Sequence, residues 1–114
     1  MLYTVSLKDN RSFRRLYSSG KSAVSPYMAI YVKKNRLGTN RLGMTVSKKI
    51  GCAVVRNRTR RRLKEIYRTH EAAFRSGYDI VVVARSRAVG ADFALLTKNF
   101  LGCAGKLGLL KKGL

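Results

Sequence analysis

The sequence predicts an α/β fold of the α+β two-layer sandwich kind, a small central β-sheet with helices packed on it, in the order α-β-β-β-α-β-α. Three observations carry this. Apolar and polar residues alternate over 27–33 and again over 41–47, the period of a strand. DIVVVAR at 79–85 is a continuous apolar run, the pattern of a central strand covered on both faces. Leu63, Ile66, Tyr67, His70 and Phe74 recur at the i, i+3, i+4, i+7, i+11 spacing of one helical face. The 114 residues suffice for one modest core, so 1–114 reads as a single domain.

Taken in order, residues 9–20 (DNRSFRRLYSSG) read as a short helix, started by Asp9, Asn10 or Ser12 and stopped by Gly20. Phe13, Leu16 and Tyr17 share one of its faces, as core or as an aromatic pair facing a groove. SSGKS is no phosphate-binding loop, because Arg15 stands where that motif needs a glycine. Of the three strands ahead of the long helix, two can be located. Pro26 opens YMAIYVKK, with Met28, Ile30 and Val32 inward and Tyr27, Ala29, Tyr31 and Lys33 outward. KNRLGTN is a turn, after which Leu42, Met44 and Val46 point inward and Arg41, Gly43, Thr45 and Ser47 outward, closing a hairpin. Gly51 leads into the long helix, from about Ala53 to Phe74, with Cys52 where a capping Asn or Ser is expected. A last helix covers 91–107 through Phe93, Leu96, Phe100, Ala104 and Leu107. The glycine-broken basic end, 106–114, reads as a flexible tail.

The charge is concentrated. Twenty-five Lys and Arg against five acids give a formal net charge of +20, and Lys48–Arg68 holds nine cations against Glu65 alone. Arg56, Arg58, Arg60, Arg61 and Arg62 lie in the first turns of the long helix, the end whose own dipole disfavours cations. With about 100° per residue from Leu63, Arg58, Arg60, Arg61, Arg62, Lys64 and Arg68 sweep the opposite side with Asn57, while Arg56 falls near the apolar direction and projects past its edge. Most helical charge runs are solvated faces of mixed sign. This one has almost no acids, so an external polyanion is the expected partner, nucleic acid first and an anionic membrane second.

Other functions fare worse. The longest uninterrupted apolar run, Ile80–Ala84, is too short to span a bilayer, and the first ten residues hold no signal-peptide core. Cys52 and Cys103 with one histidine make no usual zinc site, so a reduced, cytoplasmic setting is expected. Asp9, Glu65, Glu71, Asp79 and Asp92 are scattered, with Asp79 reading as a strand-start residue, and His70 sits at an apolar helix position. A protein-only nuclease needs clustered carboxylates or well-placed acid-base groups, so no catalytic and no metal-binding residues are expected. A ribosomal-type or other structural RNA-binding protein fits the charge equally well.

RLGMTVSKKIGCAVVRNRTRRRLKEIYR at 41–68 resembles the signature region of the bacterial ribonuclease P protein family, with Arg56, Asn57 and Arg58 as its Arg-Asn-Arg motif. Phe13, Tyr17 and Tyr31 fall at the family's aromatic positions and IVVVAR at its final strand, so the resemblance covers roughly 9–105, ahead of the tail. One departure is Cys52, where the family usually has Asn. The resemblance implies a left-handed β-α-β crossover, uncommon among proteins. It implies a protein subunit of a ribonucleoprotein endoribonuclease whose catalysis is carried by its RNA. The partners are then the catalytic RNA and precursor tRNA, with no membrane and no obligate protein partner. Mg2+ is required by the RNA, and no cofactor is held by the protein. The residues implied to face the catalytic RNA are Lys48, Lys49, Arg56, Asn57, Arg58, Arg60, Arg61, Arg62, Lys64 and Arg68; those implied for a cleft holding the single-stranded 5′ leader are Phe13, Arg14, Tyr17, Tyr31 and Lys33.

Overall fold

A computed structural model describes residues 3–111. Its strands are β1 (Thr4–Ser6), β2 (Lys21–Val24), β3 (Met28–Lys34), β4 (Asn40–Thr45) and β5 (Tyr78–Ala84), and its α-helices are α1 (Asn10–Ser19), α2 (Ala53–His70) and α3 (Phe93–Lys106). The strands form one sheet in the order β1-β4-β5-β3-β2. β5 lies at the centre, antiparallel to β3 and parallel to β4, so α2 is the crossover between adjacent parallel strands β4 and β5. Its apolar run is explained by that position: Ile80, Val82 and Ala84 meet the core under α2 and α3, and Val81 meets a smaller cluster under α1 with Leu7 and Leu16.

The inward set of this strand holds as read, but of the set read as outward Tyr27, just ahead of β3, packs against the main core and Ala29 is buried. Met28, Ile30 and Val32 are buried toward α2 and α3, while Tyr31 faces α1. Two strands lie beyond what was located in the sequence. β2 pairs with β3 around Pro26, and β1 runs parallel to β4 at the sheet edge. With four and three residues respectively, they are too short to show a period.

Local chemistry sets the helix ends. Asp9 caps α1, its carboxylate accepting from the Ser12 amide at 3.1 Å and hydroxyl at 3.0 Å. The chain leaves α1 at Gly20, where a Cβ would stand 2.6 Å from the Leu16 carbonyl oxygen and 2.9 Å from that of Val32, so no larger residue fits this join to β2. α2 stops at His70, earlier than its pattern suggests. A short 3-10 turn at Glu71–Ala73 follows, and Phe74 reaches the core from beyond it. His70 is only half-buried, its Nδ1 lying 2.8 Å from the Ile66 carbonyl oxygen.

Three expectations are corrected. The strands at 27–33 and 41–47 do not form a hairpin, because β5 lies between β3 and β4 and pairs with both. The tail is not loose from 106: Leu109 is buried, Arg75 donates its amide to the Leu109 carbonyl at 2.7 Å, and the Lys111 amide reaches the Ala73 carbonyl at 2.9 Å. Leu109 joins the core cluster that holds Phe74, Phe100 and Ala104; residues 112–114 lie outside the described residues. Asn40, read as a turn residue, opens β4 and is buried. Its Nδ2 donates to Tyr67 Oη at 3.2 Å and to the Arg75 carbonyl at 2.8 Å, and its Oδ1 accepts from the Tyr78 amide at 2.9 Å. Tyr67 Oη in turn lies 2.7 Å from Thr4 Oγ1, so one amide joins β4, α2, the entry to β5 and, through Tyr67, β1. Asp79 does mark the start of β5, gripped by Arg41 through Nε at 2.7 Å and Nη2 at 2.6 Å.

Asn40→Ala would leave several of these buried groups without partners, at roughly 1 to 3 kcal/mol for each one stranded. Chemical denaturation should show a loss of about 2 to 4 kcal/mol, whereas a surface change such as Asn99→Ala should stay within about 0.5 kcal/mol.

Candidate nucleic-acid interface

α2 is attached by a narrow seam. Thr59, Leu63, Ile66 and Tyr67 are its buried residues; Val55, Arg56, Arg60, Arg62, Glu65 and His70 are half-buried, and the remaining residues are exposed. Cys52 stands at its N-cap without a side-chain capping bond, and the nearby Val55 and Val54 amides hold its thiol below the ordinary value. No acid occupies the first turn. Lys48 and Lys49 precede the helix in an exposed 3-10 turn, extending the cationic surface beyond its end.

The ten residues expected on this surface divide by flank and by partner. Asn57, Arg58 and Arg61 are exposed along the crest, and Arg60 Nη1 donates to Asn57 Oδ1 at 2.9 Å. Arg68 forms a two-pronged ion pair with Glu65 one turn back, which partly neutralises that end of the helix. Arg56 is half-buried, in line with its direction near the apolar side. Arg62 turns away from the crest: its Nη2 donates to the Ala91 carbonyl and its guanidinium lies over the Phe93 ring, 5.7 Å from the centroid. Among the described residues, the side chains of Arg58, Arg61 and Lys64 make no hydrogen bond or ion pair, which leaves them free for an external anion.

Beside this helix, between α1 and the end of β4, runs an open groove of about 610 Å³ floored by Phe13, Met44 and Thr45 and edged by Arg14, Tyr17 and Arg60. A second hollow of about 240 Å³ adjoins it through Phe13, Met44 and Arg60, with Lys8 and Lys64 on its rim. The groove exists because β1 is short. It pairs with Asn40–Leu42 only, the Leu7 amide makes a last bond to the Leu42 carbonyl at 2.9 Å, and Leu7 then turns into the cluster under α1. Gly43 has a packing reason, since a Cβ there would lie 2.6 Å from Phe13 Cε1 and 2.9 Å from the Leu7 carbonyl oxygen.

Phe13, Arg14 and Tyr17 line one groove. Tyr31 stands behind them, half-buried, with its ring edge-on to Tyr17 at 4.9 Å and 79°. Tyr17 is 42% exposed, the most open of the groove's aromatics, and its hydroxyl lies 3.0 Å from Thr45 Oγ1. Lys33 is not brought to this groove. Its Nζ donates to Ser19 Oγ at 2.8 Å and it lines a different hollow with Lys21 and Lys34, at the far end of α1. The roles of Thr45 and Met44 escaped the sequence, which fixes the face of a strand residue but not what lies opposite it. Arg60 and Lys64, read from the sequence only as part of the face opposite Leu63, lie about 60° and 100° from it on one side of the seam, where Arg60 edges the groove and Lys64 the hollow that adjoins it.

The model of the ribonuclease P family matches residues 1–108. The ribonuclease P protein component of Natranaerobius thermophilus is 38% identical over 112 residues, 98% of this chain and 97% of that one. That of a Thermoanaerobacter species is 46% identical over 95 residues, covering 83% of this chain and 82% of the relative. Among solved structures, the Staphylococcus aureus RNase P protein superposes with a TM-score of 0.84 at 28% identity, covering 93% of this chain and 97% of its own. The Thermotoga maritima RNase P protein superposes at 0.78 and 31% identity over 85% and 92%. These matches span the sheet, the arginine helix and the groove together, and they set aside the ribosomal-type alternative. The chain belongs to the bacterial ribonuclease P protein family, the protein component that works with an RNA subunit in processing the 5′ end of tRNA.

Proposed function

We propose that the crest of α2 binds the catalytic RNA subunit and that the α1–β4 groove holds the single-stranded 5′ leader of precursor tRNA. The observation that carries this reading is that Arg60 borders both surfaces and Lys64 the hollow that adjoins the groove, so an RNA on the crest and a strand in the groove would lie side by side. Lys48, Lys49, Arg56, Arg58 and Arg61 supply phosphate contacts, and Tyr17 with Phe13 supplies stacking for unpaired bases. The protein positions and neutralises; the hydrolysis belongs to the RNA. Phosphodiester cleavage requires an activated water and a stabilised leaving oxygen, and arginines stabilise charge at phosphorus alone. Among the described residues no three His, Cys, Asp or Glu side chains gather, so Mg2+ would be held by RNA phosphates rather than by this chain. Working on tRNA precursors, the protein belongs in the cytoplasm; among the described residues no helix is long and apolar enough to cross a membrane.

Arg58 and Arg61 can be removed without disturbing the internal contacts of α2. The double Ala variant should bind the RNA subunit more weakly, and the slope of log affinity against log salt should flatten by about one unit for each phosphate that is no longer neutralised. An unchanged slope would place the RNA elsewhere.

Tyr17→Ala should reduce affinity for leader-bearing precursor tRNA by about 1 to 3 kcal/mol, the range for one stacked base, and leave affinity for mature tRNA near wild type. Tyr31→Ala should lower both leader affinity and melting temperature, because Tyr31 also packs with the cluster under α1. Equal losses for tRNA with and without a leader would contradict the assignment of the groove.

A further inference from the structure

The flank of α2 opposite the groove carries a second aromatic site. Arg60 and Arg62 are two residues apart, about 200° around the helix, so Arg60 borders the groove and Arg62 faces α3. There Arg62 is held in place by the Ala91 carbonyl and by the Phe93 ring beneath its guanidinium. Phe93 is nevertheless 40% exposed, and Leu95 (40%) and Val89 (38%) are open beside it in sequence. Three large apolar side chains within seven residues of a surface this cationic call for an occupant.

Charge decides which. A second copy of this chain would bring another +20 against the first, and an apolar lipid surface offers nothing flat to match a ring stacked on a guanidinium. An unpaired nucleobase matches both parts. Its face stacks on Phe93 or on Arg62, and its phosphate is drawn to Arg58, one turn before Arg62 on the same helix and free of internal partners. The acids closest in sequence are both engaged: Asp92 caps α3, its carboxylate accepting from the Leu95 amide at 3.3 Å, and Glu65, one turn after Arg62, pairs with Arg68. We propose that Phe93 and Arg62 form a stacking shelf for an unpaired base of the RNA subunit. This rests on the reading that the crest of α2 holds that RNA. A leader in the groove lies on the other flank, so the base at the shelf belongs to the structured RNA.

The test uses a transcript of the ribonuclease P RNA from the same cell, titrated with full-length protein and probed base by base with dimethyl sulfate. Phe93→Ala should weaken RNA-subunit binding by roughly five- to 150-fold, the range for one stacked base, with the salt slope unchanged because no charge is removed. Phe93→Tyr should restore affinity, and a base protected by wild type and by Phe93→Tyr should become reactive with Phe93→Ala. The ratio of affinities for leader-bearing and mature tRNA should not move. Should Phe93→Ala melt early, Phe93→Leu keeps most of the packing, removes the ring and should show the same loss. Affinity within twofold of wild type for Phe93→Leu, while the Arg58 and Arg61 double variant binds weakly, overturns the shelf and leaves the RNA-binding crest standing. If neither variant weakens binding, the crest reading fails and the shelf with it. A change in the oligomeric state of RNA-free protein on Phe93→Ala, with RNA affinity intact, would assign the patch to a second copy and overturn the proposal.

Discussion

The structure depends on how little of α2 is buried. Four residues, Thr59, Leu63, Ile66 and Tyr67, attach eighteen residues of helix to the sheet. A fully buried side chain such as Leu63 or Ile66 contributes about 1.5 to 3 kcal/mol, while each cation near the helix N-terminus costs roughly 0.3 to 1 kcal/mol when unscreened. The seam therefore outweighs the crest, provided its contacts are well made. That condition explains the polar clamp around Tyr67, a fully buried ring whose hydroxyl is shared by Thr4 and Asn40. A wider apolar face would hold the helix more firmly, but it would displace arginines from the surface that an RNA approaches.

The same economy shapes the groove. β1 covers half of β4 and stops, leaving the end of β4 as an open edge between α1 and α2. Open strand edges invite pairing with other chains. Here the edge is flanked by Arg14, Arg60 and Lys64, which repel another copy and attract a polyanion. A feature that would be a hazard in a neutral protein becomes a site for an extended anionic strand.

What the sequence reveals depends on how many residues carry the signal. The long helix, β3, β4 and β5 were legible because several apolar residues repeat with one period, or run unbroken, in each. β1 and β2 were not, being no longer than two repeats. Asn40 looked like a turn residue because it follows Gly38 and Thr39, and its burial comes from Tyr67, Arg75 and Tyr78, none of them near in sequence. In the site, Arg62 was counted with its neighbours on the outer face of α2, although α3 takes it as a partner. Helical spacing gives direction from one helix axis; it does not say which other element waits there. Lys33 shows the same limit on a strand, since it lies outside the groove and lines another hollow at the far end of α1.

The central claim is that this chain is a binding platform for an RNA that performs the chemistry. It is tested most directly by incubating precursor tRNA with magnesium and either the RNA-free protein, the ribonuclease P RNA, or both at moderate salt. Strong stimulation of the RNA by the protein, with no 5′ cleavage from protein alone, is the predicted result. Specific 5′ cleavage by a protein preparation free of RNA would contradict the account.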